Sequence, residues 1–249
     1  MTLATYTELM RPAVEDELHR VVDAVFAIQP ELHSMLAYHL GWEGDGAGSQ
    51  AQGKRIRPLL VLLATNAAGG EWESALPAAA AVELIHNFSL IHDDIQDRSP
   101  LRHGRPTVWV RWGAAQAINA GDVMFTLAHL ALFRLASALA PAAVLDAARV
   151  LDQACMNLTE GQYLDLSYEK RLDLAERDYW PMVGGKTAAL LGCCVELGAL
   201  VAGAEPAIRA DFRQFGISLG LAVQAWDDWL GIWGDAALTG KSTESDLVS

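Results

Sequence analysis

Leu90-Ile91-His92-Asp93-Asp94-Ile95-Gln96-Asp97 and Gln224-Ala225-Trp226-Asp227-Asp228-Trp229-Leu230 are the two stretches whose reading decides the fold of this chain. The first follows the apolar run Ala75–Ile91 and the second follows Ile217–Trp226, with a further acid at Asp235. Each run is too long for a strand and reads as helix, so each cluster sets carboxylates on an apolar helix. Two like charges about 4 Å apart repel by roughly 1 kcal/mol in water and roughly 4 kcal/mol at an effective dielectric of 20. Clusters held this way want a divalent cation between their oxygens. Carboxylate oxygens suit Mg²⁺, which keeps several waters and binds substrate phosphates as well. Two such clusters predict a cavity where metal ions grip a phosphorylated ligand.

On an ideal wheel of about 100° per residue, Asp97 lies about 40° from Asp93, so the two carboxylates share a face. His86 and Ser89 fall within about 40° of Asp93 on the same stripe, while Asp94 points about 100° away and is expected to support the others from behind. The bland alternative is a solvated acidic turn at a helix end, neutralised by Arg98 and Arg102.

The texture around these clusters is helical nearly throughout. Val14, Leu18, Val21, Val22 and Val25 recur at helical spacing, giving an amphipathic first helix that Pro30 breaks. Glu31–Leu40 reads as a short second helix, followed by a glycine-rich loop at Gly41–Gly53. Further helices are predicted over Arg57–Ala68, Ala75–Asp97, Gly113–Ala140, Ala142–Leu166, Lys186–Val201 and Pro206–Leu230. The breaks fall at Gly69-Gly70, Ser99–Pro106, Pro141, Gly184-Gly185 and Gly203. No alternating strand pattern and no fixed-period repeat is visible. The expectation is one all-α domain.

Bulk composition agrees. Hydrophobic residues make up 52% of the 249, enough for a substantial core. The net charge is −13, with 31 acids against 18 Lys and Arg, which argues against nucleic-acid or anionic-membrane binding but leaves room for an anionic substrate in one basic pocket. No long uncharged apolar run predicts an integral membrane segment, and Met1–Glu15 lacks the basic start and apolar stretch of a signal peptide. Cys155, Cys193 and Cys194 match neither a disulfide framework nor a zinc spacing; buried free thiols of a cytoplasmic protein are expected.

Basic residues supply the other half of the chemistry. Gly53-Lys54-Arg55-Ile56-Arg57-Pro58 sits where the glycine loop enters a helix, and helix N-termini favour anions. Lys54 and Arg57, three apart, can face one way; the alternative is an ordinary basic first turn. Arg102-His103-Gly104-Arg105-Pro106-Thr107 follows the first acidic cluster, where guanidinium groups can bind phosphate oxygens bidentately. Gly185-Lys186-Thr187 is not a phosphate-binding P-loop, because position 180 is Trp where that motif needs glycine. Lys186 can still meet a phosphate as a lone cation. Gly44, Gly46 and Gly48 precede no strand, which makes a nucleotide-binding reading poor, and His92-Asp93 lacks the further histidines of an HD phosphohydrolase.

Taken together, GKRIRP at Gly53–Pro58, LIHDDIQD at Leu90–Asp97, GQYLDL at Gly161–Leu166, GGKT at Gly184–Thr187 and QAWDDWLGIWGD at Gln224–Asp235 resemble the trans-isoprenyl diphosphate synthase, or polyprenyl synthetase, family, in its order and spacing. The resemblance implies an all-helical single-domain bundle around a deep apolar cavity, working as a homodimer. It implies an allylic diphosphate ionised between the two aspartate regions with three Mg²⁺ ions, and isopentenyl diphosphate attacking the cation through its double bond. By position, Asp93 and Asp97 would coordinate metal, with Asp94 beside them, and Asp227 with Asp228 would hold the third ion. Arg102, Lys186 and Lys241 would bind the allylic diphosphate, with Thr187 and Gln224 close by. Lys54, Arg57 and His86 would bind isopentenyl diphosphate. Gln162 and Asp165 would sit on the polar wall at mid-cavity, and Phe88 and Ser89 would form the floor that limits product length to fifteen or twenty carbons.

Three departures mark this chain. His103 stands where the family usually has a second arginine for isopentenyl diphosphate, and Gly231 stands where a third acid is common. The family continues for several helices after a basic segment, whereas this sequence stops at Ser249. The expectation is therefore a single domain over 1–249 that lacks those C-terminal helices. A class I terpene cyclase would share the first aspartate motif but would carry an Asn/Ser/Glu triad in place of Asp227-Asp228. A non-catalytic synthase-like subunit is the other alternative.

Overall fold

The structure, a computed structural model, describes residues 2–233. Helix α1 (Leu3–Val22) starts at Thr2, whose hydroxyl accepts from the Thr5 amide at 3.3 Å, and it sinks Met10, Val14, Leu18 and Val22 fully into the core. A 3₁₀ turn at Asp23–Val25 follows, and α2 (Pro30–His39) begins with proline at its first position. Proline has no amide to lose there, so Pro30 opens the second helix rather than ending the first. A single turn, α3 (Ser49–Gln52), interrupts the glycine-rich loop before α4 (Ile56–Ala67) and α5 (Leu76–Gln96).

Helix α5 is the axis of the bundle. Ala78, Ala79, Ala80, Ala81, Val82, Leu84 and Ile85 are all fully buried, so this half of the helix is enclosed on every side, with Glu83 its one buried charge. Its small residues let α1, α4 and α7 approach closely. The end that carries the aspartates emerges from this packing, with Asp97 as the C-cap.

Beyond α5 the predicted break at Ser99–Pro106 holds a feature absent from the sequence reading, a minimal hairpin. Strands β1 (Leu101–Arg102) and β2 (Arg105–Pro106) pair antiparallel around His103 and Gly104, whose φ values of 51° and 74° make a primed turn. Two-residue strands are too short to leave an alternating pattern. Helices α6 (Val108–Trp112) and α7 (Ala114–Phe133) follow. The predicted helix to Ala140 ends earlier, in a 3₁₀ turn at Arg134–Ser137. Helix α8 (Pro141–Tyr168) again opens on proline and runs past its predicted end.

The second half departs further from expectation. Residues Glu176–Val183 form an additional helix, α9, and Gly184-Gly185 does not break the chain. Instead a π-turn at Gly184–Ala188 joins α9 to α10 (Ala189–Val201), and α11 (Pro206–Trp233) packs against both. The cause is a close helix crossing. A Cβ on Gly161 of α8 would sit 2.1 Å from the Lys186 amide nitrogen, and one on Gly185 would sit 2.6 Å from the Asn157 carbonyl oxygen. The glycines of the GQYLDL and GGKT motifs therefore bring α8 and the π-turn into backbone contact.

The stretches Trp72–Gln96 and Glu176–Val201 are long and apolar enough, by length and composition, to cross a membrane, but 67% of each apolar window is buried within the bundle. That is the pattern of core helices. Cys193 and Cys194 are buried, Cys155 is half-buried, and all three thiols are free.

The crossing can be checked directly. Gly161→Ala is expected to cost about 1–3 kcal/mol of unfolding free energy by overpacking. Gly184→Ala, whose added methyl meets nothing within 4 Å, should change it by less than about 0.5 kcal/mol. Equal effects of the two substitutions in denaturant unfolding would remove the crossing argument.

Candidate active site

The acidic end of α5 faces a cleft of about 970 Å³ between α8, α9 and α11, whose walls include Asp97, Asp165, Tyr179, Lys186, Thr187 and Asp228. Leu174, Met182, Val183 and Ile232 supply apolar surface to the same cleft. The α8 crossing explains how Lys186 arrives here: its ammonium pairs with Asp165, one turn along α8 from Gly161. Burial opposes its charge, yet the Asp165 hydrogen bond together with Asp93 and Asp97 raises Lys186 above the ordinary lysine range. It stays a cation beside the aspartates.

The three aspartates of α5 play different parts. Asp94 is buried and receives Arg102, whose Nε donates to both carboxylate oxygens at 3.0 and 3.1 Å and whose Nη2 donates to Oδ1 at 2.9 Å. Asp94 thus supports from behind, as the wheel indicated, and Arg102 is held in one orientation by the carboxylate. Asp93 is half-buried and Asp97 exposed. Burial pushes the Asp93 carboxyl up to about 6, with Asp97 and Asp94 adding to the shift against Lys186 and Arg102. Asp97 is raised as well, chiefly by burial. A carboxylate held on an α-helix in that condition fits a cation seat.

The described residues contain no preassembled cluster of three or more His, Cys, Asp or Glu side chains. Mg²⁺ does not require one, because one or two carboxylates plus water and substrate phosphates complete its shell. Asp93 and Asp97, one helical turn apart, fit that requirement. Across the cleft Asp227 is exposed, while Asp228 accepts from Tyr179 Oη at 2.5 Å and from Gln224 Nε2 at 2.6 Å. Thr187 in turn donates to Gln224 at 2.7 Å, linking the π-turn to α11. Gln162 donates to Gln96 at 2.9 Å, beside the aspartates rather than deep in the bundle. Asp235 and Lys241 lie outside the described residues.

A second, basic group lies about two turns further back along the same face of α5. Arg57 Nη1 approaches His86 Nε2 at 3.2 Å, and Arg57 Nε is buried without an acceptor among the described residues. Burial, then Arg57 and Arg102, push His86 well below the ordinary range, so the neutral ring accepts from Arg57. Lys54 is exposed and precedes the helix instead of sharing its first turn with Arg57. His103 stands exposed at the hairpin tip, lowered by burial and by Arg102. His39, at the C-terminal end of α2, borders the same pocket as Arg102 and His103, and burial followed by Arg102 lowers it to about 3. Sequence reasoning missed His39 and Tyr179, since neither sits in a motif.

Ser89 and Phe88 face different surroundings. Ser89 is buried and its hydroxyl donates to the His86 carbonyl at 2.8 Å. Phe88 is half-buried and lies edge-on to Phe125 of α7, with ring centroids 5.1 Å apart, and to His92 at 5.0 Å.

Many known proteins are similar to this chain in sequence and fold. The family model described as polyprenyl synthetase matches residues 47–249. A (2E,6E)-farnesyl diphosphate synthase of Mycobacterium tuberculosis is 45% identical over 225 residues, covering 89% of this chain and 61% of the relative. A geranylgeranyl diphosphate synthase of the same species is 44% identical over 93% of this chain and 65% of its own length. The crystal structure of a polyprenyl synthetase from Streptomyces coelicolor superposes with a TM-score of 0.88 at 39% identity, over 99% of this chain and 71% of that one. The chain belongs to the polyprenyl synthetase family, and it spans somewhat less than two thirds of the length of the two mycobacterial relatives.

The displaced Asp93 titration has a measurable consequence. A carboxyl whose folded value lies near 6 binds its proton more tightly in the fold than in the unfolded chain. Its contribution to stability is therefore present below the ordinary carboxylate value near 3.8 and is lost as pH rises through 6. In metal-free protein, Asp93→Asn should raise the thermal midpoint at pH 8 by a few degrees and leave it nearly unchanged at pH 4, corresponding to at most about 3 kcal/mol. A midpoint equally shifted at both pH values would contradict the assignment.

Proposed function

We propose that this chain carries a Mg²⁺-dependent prenyltransferase site that condenses isopentenyl diphosphate with an allylic diphosphate to an all-trans prenyl diphosphate of fifteen to twenty carbons. The observation that carries the reading is a two-pole site on one helix. The far end of α5 presents Asp93 and Asp97 to Lys186 across a cleft, while His86, two turns earlier, meets Arg57 beside an orphaned guanidinium nitrogen. One pole suits a metal-bridged diphosphate and the other a diphosphate bound by cations alone. The mycobacterial relatives named as farnesyl and geranylgeranyl diphosphate synthases support the same chemistry. A cytoplasmic homodimer, with three metal ions per site, completes the proposal.

In this reading the C–O bond of the allylic diphosphate breaks, the double bond of isopentenyl diphosphate attacks the resulting cation, and a proton is lost. Bound Mg²⁺ would neutralise the diphosphate as it leaves. Asp93 and Asp97 would hold it on one wall, and Asp227 is the freer donor opposite, since both oxygens of Asp228 are engaged by Tyr179 and Gln224. Lys186, steadied by Asp165, meets the charge that develops on the leaving group. Arg102, locked by Asp94, offers Nη1 to the same oxygens without having to reorganise. His86 stays neutral and holds Arg57, leaving that guanidinium to the second diphosphate.

Product analysis after incubating the chain with Mg²⁺, allylic diphosphate and isopentenyl diphosphate tests the proposal. Longer diphosphates are expected; cyclic hydrocarbons would mark a terpene cyclase, and no product a non-catalytic subunit. Asp93→Ala or Asp227→Ala should each cut turnover by at least about 100-fold, or about 2.7 kcal/mol. Near-normal rates in either folded variant would remove the metal-site claim.

The Phe88–Phe125 contact bears on product length. If the growing chain runs down α5, Phe88→Ala should let it extend by one or more five-carbon units. An unchanged longest product from an active variant would make Phe88 simple packing between α5 and α7.

A further inference from the structure

The basic turn Gly53-Lys54-Arg55-Ile56-Arg57 contains one cation that points the opposite way from its neighbours. Arg55 is the N-cap of α4, with φ 51° and ψ 38°, a left-handed conformation that a non-glycine residue keeps only when its surroundings over-determine it. Its side chain is 2% exposed, whereas Lys54 on one side is exposed and Arg57 two residues on is half-buried. The guanidinium enters a socket between three elements. Its Nε donates to Glu15 of α1 at 2.7 Å, its Nη1 to Glu83 of α5 at 2.7 Å and its Nη2 to the Leu40 carbonyl at 3.2 Å.

The socket is fixed independently of the turn. Glu83 also accepts from Asn87 at 3.0 Å, and Glu15 from the Trp42 indole at 3.0 Å. Moreover, each flanking helix grips the turn twice at helical spacing. On α1, Arg11 donates to the Gly53 carbonyl at 3.0 Å, four residues before Glu15. On α5, His86 meets Arg57 three residues after Glu83. All four contacts reach residues 53, 55 and 57, which leaves Lys54 and the unpartnered Nε of Arg57 for a ligand.

We infer that Arg55 is a positioning residue for the metal-free diphosphate subsite, with Arg11 as its second anchor. The buried guanidinium forces the left-handed turn and so aims Lys54 and Arg57 at one anion. This inference rests on the reading of the turn as the isopentenyl diphosphate site. Lysine keeps the charge of Arg55 but cannot reach three acceptors as a rigid fork. Arg55→Lys should therefore misplace the turn while sparing the acidic pole, about two turns further along α5.

The test uses the whole chain, with calorimetric binding of isopentenyl diphosphate in the absence of metal and steady-state kinetics in its presence. Arg55→Lys and Arg11→Ala should each weaken isopentenyl diphosphate binding, and raise its KM, by about tenfold. The KM for the allylic diphosphate and kcat should stay within about twofold, because the inference assigns no role at the acidic pole. Lys54→Ala and Arg57→Ala separate the two claims. If neither weakens isopentenyl diphosphate binding, or the unaltered chain does not bind it, the reading of the site fails. If they weaken it while Arg55→Lys and Arg11→Ala do not, or if those two raise both KM values equally, the positioning inference alone is overturned. Should Arg55→Lys fail to fold, Arg11→Ala decides, since it removes only a half-buried contact to one carbonyl.

Discussion

Charge that the fold itself does not neutralise is the constraint on which this structure turns. Helix α5 is enclosed by apolar packing for most of its length and then ends in three aspartates. Among the described residues only Asp94 finds a full protein partner, in Arg102. Asp93 stays half-buried with its carboxyl displaced to about 6, chiefly by burial, so its charge is a cost to the fold unless a cation meets it. The rest of the architecture serves that end of the helix. The glycine crossing at Gly161 and Gly185 delivers Lys186, and the π-turn carries Thr187 to Gln224 and so to α11.

The opposite pole obeys the same logic with the signs reversed. Arg57 meets His86 at the middle of α5, His39 and His103 border a pocket with Arg102, and burial first, then the guanidiniums, lowers the proton affinity of all three imidazoles. A protein with a net charge of −13 has thus concentrated cations beside one helix. His86 and Asp93 are separated along α5 by about two turns or about 10 Å, and at the acidic end Arg102 and Lys186 stay paired with Asp94 and Asp165.

Much of this was legible in the sequence, and the reasons differ from residue to residue. The Asp93 and Asp97 pair follows from a period of four on an apolar helix, and the buried Asp94 from its position on the wheel. The all-helical fold followed from long apolar runs punctuated by glycine and proline. Pro30 marks the second helix to within a residue of its expected start at Glu31, whereas glycine misled at Gly184-Gly185, where it marks a close crossing. Helix α9 escaped notice because its apolar residues are few and a proline sits inside it. The inward turn of Arg55 could not be read at all: three cations in four residues look alike until burial and a left-handed backbone separate them.

The central claim, that the α5 aspartates form a metal seat completed by diphosphate, is most directly tested by titrating Mg²⁺ calorimetrically with and without inorganic pyrophosphate at pH 6, in two buffers of different ionisation enthalpy. After subtraction of the protein-free Mg²⁺–pyrophosphate titration, the account predicts weak Mg²⁺ binding alone, much tighter binding with pyrophosphate, and a proton release that Asp93→Asn lacks. Identical isotherms with and without pyrophosphate, and no net proton release, would contradict it.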